Sequence, residues 1–294
     1  MWILDKLEEW LRKMVVDGFE EFFATIASMV SGVTGNLSVT PDNTGTMFGT
    51  SSVIWGYITQ VTENAIFPVA GVLLAYTLAK EIIDEIVDKN SFGQVNTTNI
   101  LKILVKMIFS VLLTINALTI VSGIFAIGNL VLSITGGIIT NTTFSSTNLT
   151  SQVETVMSTA EIPDLLNTLT AITLAKLVAH VIKIGVTLIV YGRVIQMILY
   201  TTLAPLPFAT FTNKDFDLAQ NYIKNIAAIS LQGVLMLFLL GLYSILLQSQ
   251  LDALTLNNIS ELAGNIYGIC GFGILLVITL GKTHTMAKSI MSAH

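Results

Sequence analysis

The sequence predicts an all-α, polytopic helical membrane protein, and three observations predict it. Of 294 residues, 53% are apolar and only 11% are charged, against about 25% charged in a typical soluble domain. The apolar residues gather into long runs separated by uncharged stretches rich in Ser, Thr and Asn. Several runs approach the roughly 20 residues with which a helix crosses hydrocarbon while satisfying its own backbone.

Charge and cysteine content exclude other classes. With 14 Lys plus Arg against 19 Asp plus Glu, the net charge of −5 excludes a generally basic protein that coats nucleic acid. Cys270 is the single cysteine, so no intrachain disulfide forms, and no Cys/His cluster surrounds it to hold zinc. The opening MWILDKLEEW carries acids and no short apolar core ahead of a small-residue cleavage site, so insertion is expected to rely on internal spans.

Taken in order, residues 1–30 are expected to form an amphipathic helix. Ile3, Leu7, Trp10, Leu11, Met14, Val15, Phe22, Phe23 and Ile26 recur at helical spacing, with most of the acids opposite. Such a helix lies along a membrane surface, a neighbouring subunit or the protein's own membrane domain. Residues 31–61 hold SGVTGNLSVTPDNTGTMFGTSS, a Gly/Ser/Thr/Asn stretch expected to be an external loop. Residues 62–294 are expected to be the helical transmembrane domain. Its spans are placed at about Asn64–Lys80, kinked near Pro68, and within Met107–Ile127, Thr168–Val190, Asn225–Leu247 and Leu262–Gly281. Between the third and fourth, VIQMILYTTLAPLPFATF (Val194–Phe211) is uncharged but carries Pro205 and Pro207 in its last third.

Charge distribution orients these spans. Lys and Arg are absent from residues 14–79, 107–175 and 225–281, and each gap contains a whole loop between spans. The positive-inside rule places those loops outside. The loops carrying Lys80, Lys89, Lys102 and Lys106, then Arg193, Lys214 and Lys224, then Lys282 and Lys288 fall in the cytoplasm. This pattern predicts five full spans, an external N-terminal region, a cytoplasmic C-terminus and a re-entrant or protein-buried segment around Pro205. A six-span alternative would place Lys214 and Lys224 outside. Lys6, Arg12 and Lys13 fit the rule poorly, although their acidic neighbours make that helix net negative.

One constellation stands inside a span. Lys176, His180 and Lys183 are spaced i, i+4 and i+7, which puts them on one helical face. Basic groups at that depth face a bundle interior, a subunit interface or water. The stripe is therefore a candidate translocation path or subunit interface; equally, the three pair with carbonyls or acids within the bundle, or Lys176 snorkels outward. No spacing links His180 to His284 or His294 as metal ligands. Gly281-Lys282-Thr283 lacks the glycine a phosphate loop needs, because Leu276 occupies that place. Gly264 and Gly268 form a GxxxG pair suited to close helix packing. No nucleophile–base set or carboxylate pair is recoverable, so no catalytic site, cofactor or metal is expected.

The stretch from Tyr191 to Leu247 resembles the polytopic inner-membrane, TrbL-type subunit of conjugative type IV secretion systems, especially its Gram-positive members. The resemblance rests on Arg193 ahead of an apolar stretch, APLPFATF at Ala204–Phe211, NYIKNIAA from Asn221 and LQG at Leu231–Gly233. NAIFPVAGVLLAYTLAKEII also resembles the family's first span. The resemblance implies a channel or scaffold subunit that helps a single-stranded DNA and protein substrate cross the cytoplasmic membrane. It implies an oligomer working with other membrane subunits and with ATPases of the system, and it marks Arg193, Pro205 and Pro207 as structural motif positions. It supplies no enzymatic residues. Two rivals remain: a secondary transporter of a small solute, suggested by a proline-broken segment beside basic residues, and a purely structural scaffold. Against the transporter stand the lack of an internal repeat and of a carboxylate deep in a span.

Overall fold

The computed structural model describes residues 2–44, 51–88, 97–140, 153–155, 157–158, 160–211, 218–252 and 259–292. Lys89 and Lys214, on which part of the orientation rests, lie outside the described residues. Nine helices are named here: α1 Trp2–Leu37, α2 Ser51–Val61, α3 Phe67–Asp88, α4 Thr97–Ile115, α5 Ala117–Thr140, α6 Ile162–Leu203, α7 Pro205–Ala209, α8 Leu218–Asp252 and α9 Ile259–Ile290. A π-helical turn, Thr62–Ile66, joins α2 to α3. No strand occurs among the described residues. Five segments are long and apolar enough to cross a membrane: Val53–Asp84, Ala117–Gly137, Ile162–Ala209, Leu218–Gln250 and Gly264–Ile290. The chain is an all-α polytopic membrane protein.

Its outer faces fit lipid rather than water. Val72, Ile108, Leu112, Ile127, Leu177, Val181, Leu188, Phe238 and Ile278 are exposed large apolar side chains spread over the spans. In water such a surface would be an aggregation site; hydrocarbon or neighbouring subunits cover it without cost.

The helices depart from the sequence expectation in four places. Helix α1 runs on to Leu37, and Ser51–Val61 is helical, although both stretches are rich in turn-favouring residues. The span expected within Met107–Ile127 is divided at Asn116, so that Met107–Ile115 belongs to α4 and the span proper is Ala117–Gly137. At this division the Asn116 side-chain amide and its backbone N–H both donate to the Leu112 carbonyl, at 2.9 and 3.1 Å, a shared acceptor that hydropathy does not register. Val194–Leu203 is the last part of α6, continuous with the span before it. The helical pattern is interrupted only at Ala204, because the prolines disturb their own turn and not the ten residues ahead of it. Finally, Gly264 and Gly268 make no close approach; Gly273 does, with Ile182 and Tyr243 where a side chain would stand.

The π turn has a clear cause. Pro68 has no N–H for the Asn64 carbonyl, and the backbone shifts register just before it, with Phe67 N–H bonded to the Thr62 carbonyl. Such bulges carry a helix past an interrupted ladder.

Two compact units divide the chain. One comprises residues 1–37, 132–191 and 234–283; the other comprises 38–131, 192–233 and 284–294. In the first, α1 lies along α6 in parallel. Arg12 reaches the Ala160 carbonyl at 3.4 Å, Gly18 sits against Ile172, Glu21 pairs with Lys176 and Ser28 meets Lys183. Both partners advance in the same sense along this series, and Leu11, Val15, Phe19, Phe22, Ile26 and Met29 form the buried side of α1. Of the three surfaces open to this helix from sequence, the described residues show it on its own membrane domain. In the second unit, Val121 and Phe125 of α5, Val194 and Met197 of α6, Phe208 of α7, and Tyr222, Ile226 and Ile229 of α8 make the core.

Candidate functional site

In the first unit, α6 presents the basic stripe. Lys176, His180 and Lys183 share one face, as i, i+4, i+7 spacing requires, and α1 supplies their company. The Lys176 ammonium forms an ion pair with Glu21, and the Lys183 ammonium donates to the Ser28 hydroxyl at 3.0 Å. His180 is exposed, and its Nδ1 lies 2.8 Å from the Lys176 carbonyl oxygen one turn back. Glu21 is solvent-exposed, and the hydrogen bond and charge of Lys176, with a smaller contribution from His180, hold its carboxyl below the usual carboxylate range. Sequence reasoning had placed Glu21 only among the acids of α1. The signal was available in the helix itself: stepping four and three residues from Ile3 through Leu7, Trp10, Met14 and Asp17 arrives at Glu21.

The second unit holds the motif positions. Pro205 and Pro207 stand in the first turn of α7, where a helix has no intrahelical use for its N–H groups. Their cost falls on carbonyls of the preceding turn. Pro205 cannot serve Thr201, whose carbonyl instead accepts Ala204 N–H at 3.2 Å. Three side-chain hydroxyls from elsewhere in the unit serve carbonyls on either side of the prolines, one in the preceding turn and two at the end of α7. Thr62 of the π turn donates to Thr202 O at 3.1 Å, Thr77 of α3 to Ala209 O at 3.0 Å, and Ser110 of α4 to Phe208 O at 3.4 Å. Thr62, Thr77 and Ser110 are fully buried, as are Pro205, Phe208 and Ala209. Within a bilayer, irregular backbone survives only where protein satisfies it in this way. The segment around Pro205 is thus protein-buried.

Arg193 is buried at 3% exposure in the same unit. Its Nε donates to the Ile229 carbonyl at 3.1 Å. Gly233 makes room for the guanidinium, since a Cβ there would lie 2.5 Å from Nη2. Arg193 and the LQG motif are therefore one feature: the glycine is the surface against which the arginine packs. Tyr222 donates to the Tyr200 carbonyl, stacks on the Tyr200 ring and meets Phe208 edge-on. That contact joins the NYIKNIAA run to α7. The prolines, the arginine and the downstream motifs converge on one buried junction, while the basic stripe lies in the other unit.

Five helical segments long and apolar enough to cross a membrane, a proline-broken segment clamped within the second unit and no strand among the described residues define an integral membrane protein. The sequence model of the TrbL/VirB6 plasmid conjugal transfer-like family matches residues 26–205, more than half of the chain, and the protein belongs to that family. The family is one of conjugal-transfer membrane subunits rather than of enzymes. Neither a curated protein nor a solved structure gives a match.

Proposed function

We propose that the protein is a channel or scaffold subunit of a conjugative type IV secretion system, helping a single-stranded DNA and protein substrate across the cytoplasmic membrane. It acts as a homo-oligomer beside other membrane subunits and the ATPases of the system, with its N-terminal region outside and its C-terminus in the cytoplasm, in a Gram-positive host. The family match carries this reading. The arrangement of α1 on α6 supports the placing of the path: Lys176 and Lys183 are held by α1 yet remain partly exposed, and His180 is exposed beside them. Glu21 already neutralises Lys176, so the charge this strip offers an anionic strand, or a second copy, is that of Lys183, held by a neutral hydroxyl.

The test is a Lys176→Gln, Lys183→Gln double variant, scored for both DNA transfer and assembly of the complex. Normal assembly with transfer lowered tenfold or more places the stripe on the path. Failed assembly places it at a subunit contact, and full transfer removes it from the function.

A further inference from the structure

Among the described residues, both lysines of the stripe take a partner from α1, and the two partners differ in kind. Lys183 donates to the Ser28 hydroxyl, a neutral group, and keeps its whole charge. Lys176 already holds an anion that the chain itself supplies, the Glu21 carboxylate.

That anion can be exchanged while α1 stays in place. The Glu21 and Lys176 side chains are 57 and 28% exposed. On the path reading they face water, where an ion pair so open shifts an equilibrium by about fivefold at most. Other contacts hold the helix: Val15, Phe19, Phe22 and Ile26, before and after Glu21 in sequence, are buried, and Gly18 sits against Ile172. Taking Glu21 off Lys176 needs only a side-chain rotation.

Spacing makes the exchange stepwise. Lys183 stands seven residues beyond Lys176, about 10 Å along α6 at 1.5 Å per residue. One phosphate of a strand can meet Lys183 while Glu21 still covers Lys176, and a second phosphate then competes with the carboxylate. An ammonium hydrogen-bonds a carboxylate and a phosphate in the same charge-assisted way, so the second contact replaces one that already exists and adds little.

We infer that Glu21 sets how tightly the stripe holds a nucleic-acid strand: its carboxylate competes with strand phosphate for Lys176 and keeps the hold weak. A path must bind its cargo well enough to admit it and loosely enough to release it. Lys176 and Lys183, both uncovered beside His180, would serve entry at the expense of exit. This inference rests on the path reading of the stripe and names the residue that tunes affinity there.

The test is a titration of the full chain in detergent against a fluorescent single-stranded oligonucleotide at physiological salt, read by anisotropy. Glu21→Gln is expected to lower the dissociation constant about threefold or more. Glu21→Asp, which keeps the charge one methylene short of Lys176, should fall between it and wild type. Glu20→Gln removes the same charge from the adjacent exposed position, on another face of α1, and salt screening should leave its gain clearly smaller. Because the effect runs through Lys176, Glu21→Gln combined with Lys176→Gln should bind no more tightly than wild type. Equal gains from Glu21→Gln and Glu20→Gln, or a gain that survives the loss of Lys176, overturn the inference and leave the path reading standing, provided that Lys183→Gln weakens wild-type binding. No binding by wild type or by Glu21→Gln removes the path reading and the inference together.

Discussion

At the residue scale, the most constrained contact is Arg193 against Gly233. Gly233→Ala would press a methyl group into the guanidinium, and overpacking of this kind costs about 1–3 kcal/mol. The expected result is a lower melting temperature in detergent, with most of the loss absent when Arg193→Ala is already in place, because the two side chains share one site. The Glu21–Lys176 pair predicts a pH dependence. Its carboxyl is held below the usual range in the fold, so the contribution is complete above the ordinary carboxylate pKa and is lost as pH falls through the lowered one. Hydrogen exchange over residues 17–28, corrected for intrinsic rate, should accelerate on acidification of the wild type but not of Glu21→Gln.

Residues differ in how far sequence exposes their role. Lys176, His180 and Lys183 could be put on one face from spacing alone, since helical periodicity is local. Their partners could not, because Ser28 is 155 residues from Lys183 along the chain. Arg193 was legible as a motif position, but its use of Gly233 depends on how two helices cross.

At the scale of elements, the proline-broken segment shows the same division. Pro205 and Pro207 announce an interruption in any apolar run. The hydroxyls that make it tolerable in a bilayer come from 140, 132 and 98 residues away. Thr62, Thr77 and Ser110 look like ordinary residues of helices that have their own Thr and Ser content. Thr77→Val and Ser110→Ala should each lower stability by about 0.6–2 kcal/mol, visible as increased hydrogen exchange at residues 204–211. No change there would mean that the proline turn holds itself. Continuity explains α6: a single glycine, Gly192, weakens a helix without ending it, and no proline stands between Val190 and Leu203, so the helix does not stop where its hydropathy window was drawn.

At the scale of the whole molecule, fold class was fully legible, because composition and run length state which solvent the chain is built for. Span limits were less so. Helix α6, at 42 residues, is about 63 Å long, twice the roughly 30 Å of hydrocarbon, and only part of it can lie in lipid. The proposed orientation is tested with impermeant thiol reagents on a Cys270→Ser background, since Cys270 is the single cysteine. Glu9→Cys should label in intact cells and Ser289→Cys only after lysis; the opposite pattern reverses the topology.

The central claim is that this membrane subunit serves conjugal transfer, and the most direct measurement is DNA transfer frequency from donor cells with an in-frame deletion of the gene. Transfer should fall to background and return when the gene is supplied in trans. Undiminished transfer, in a donor without a second copy of the gene, would contradict the account.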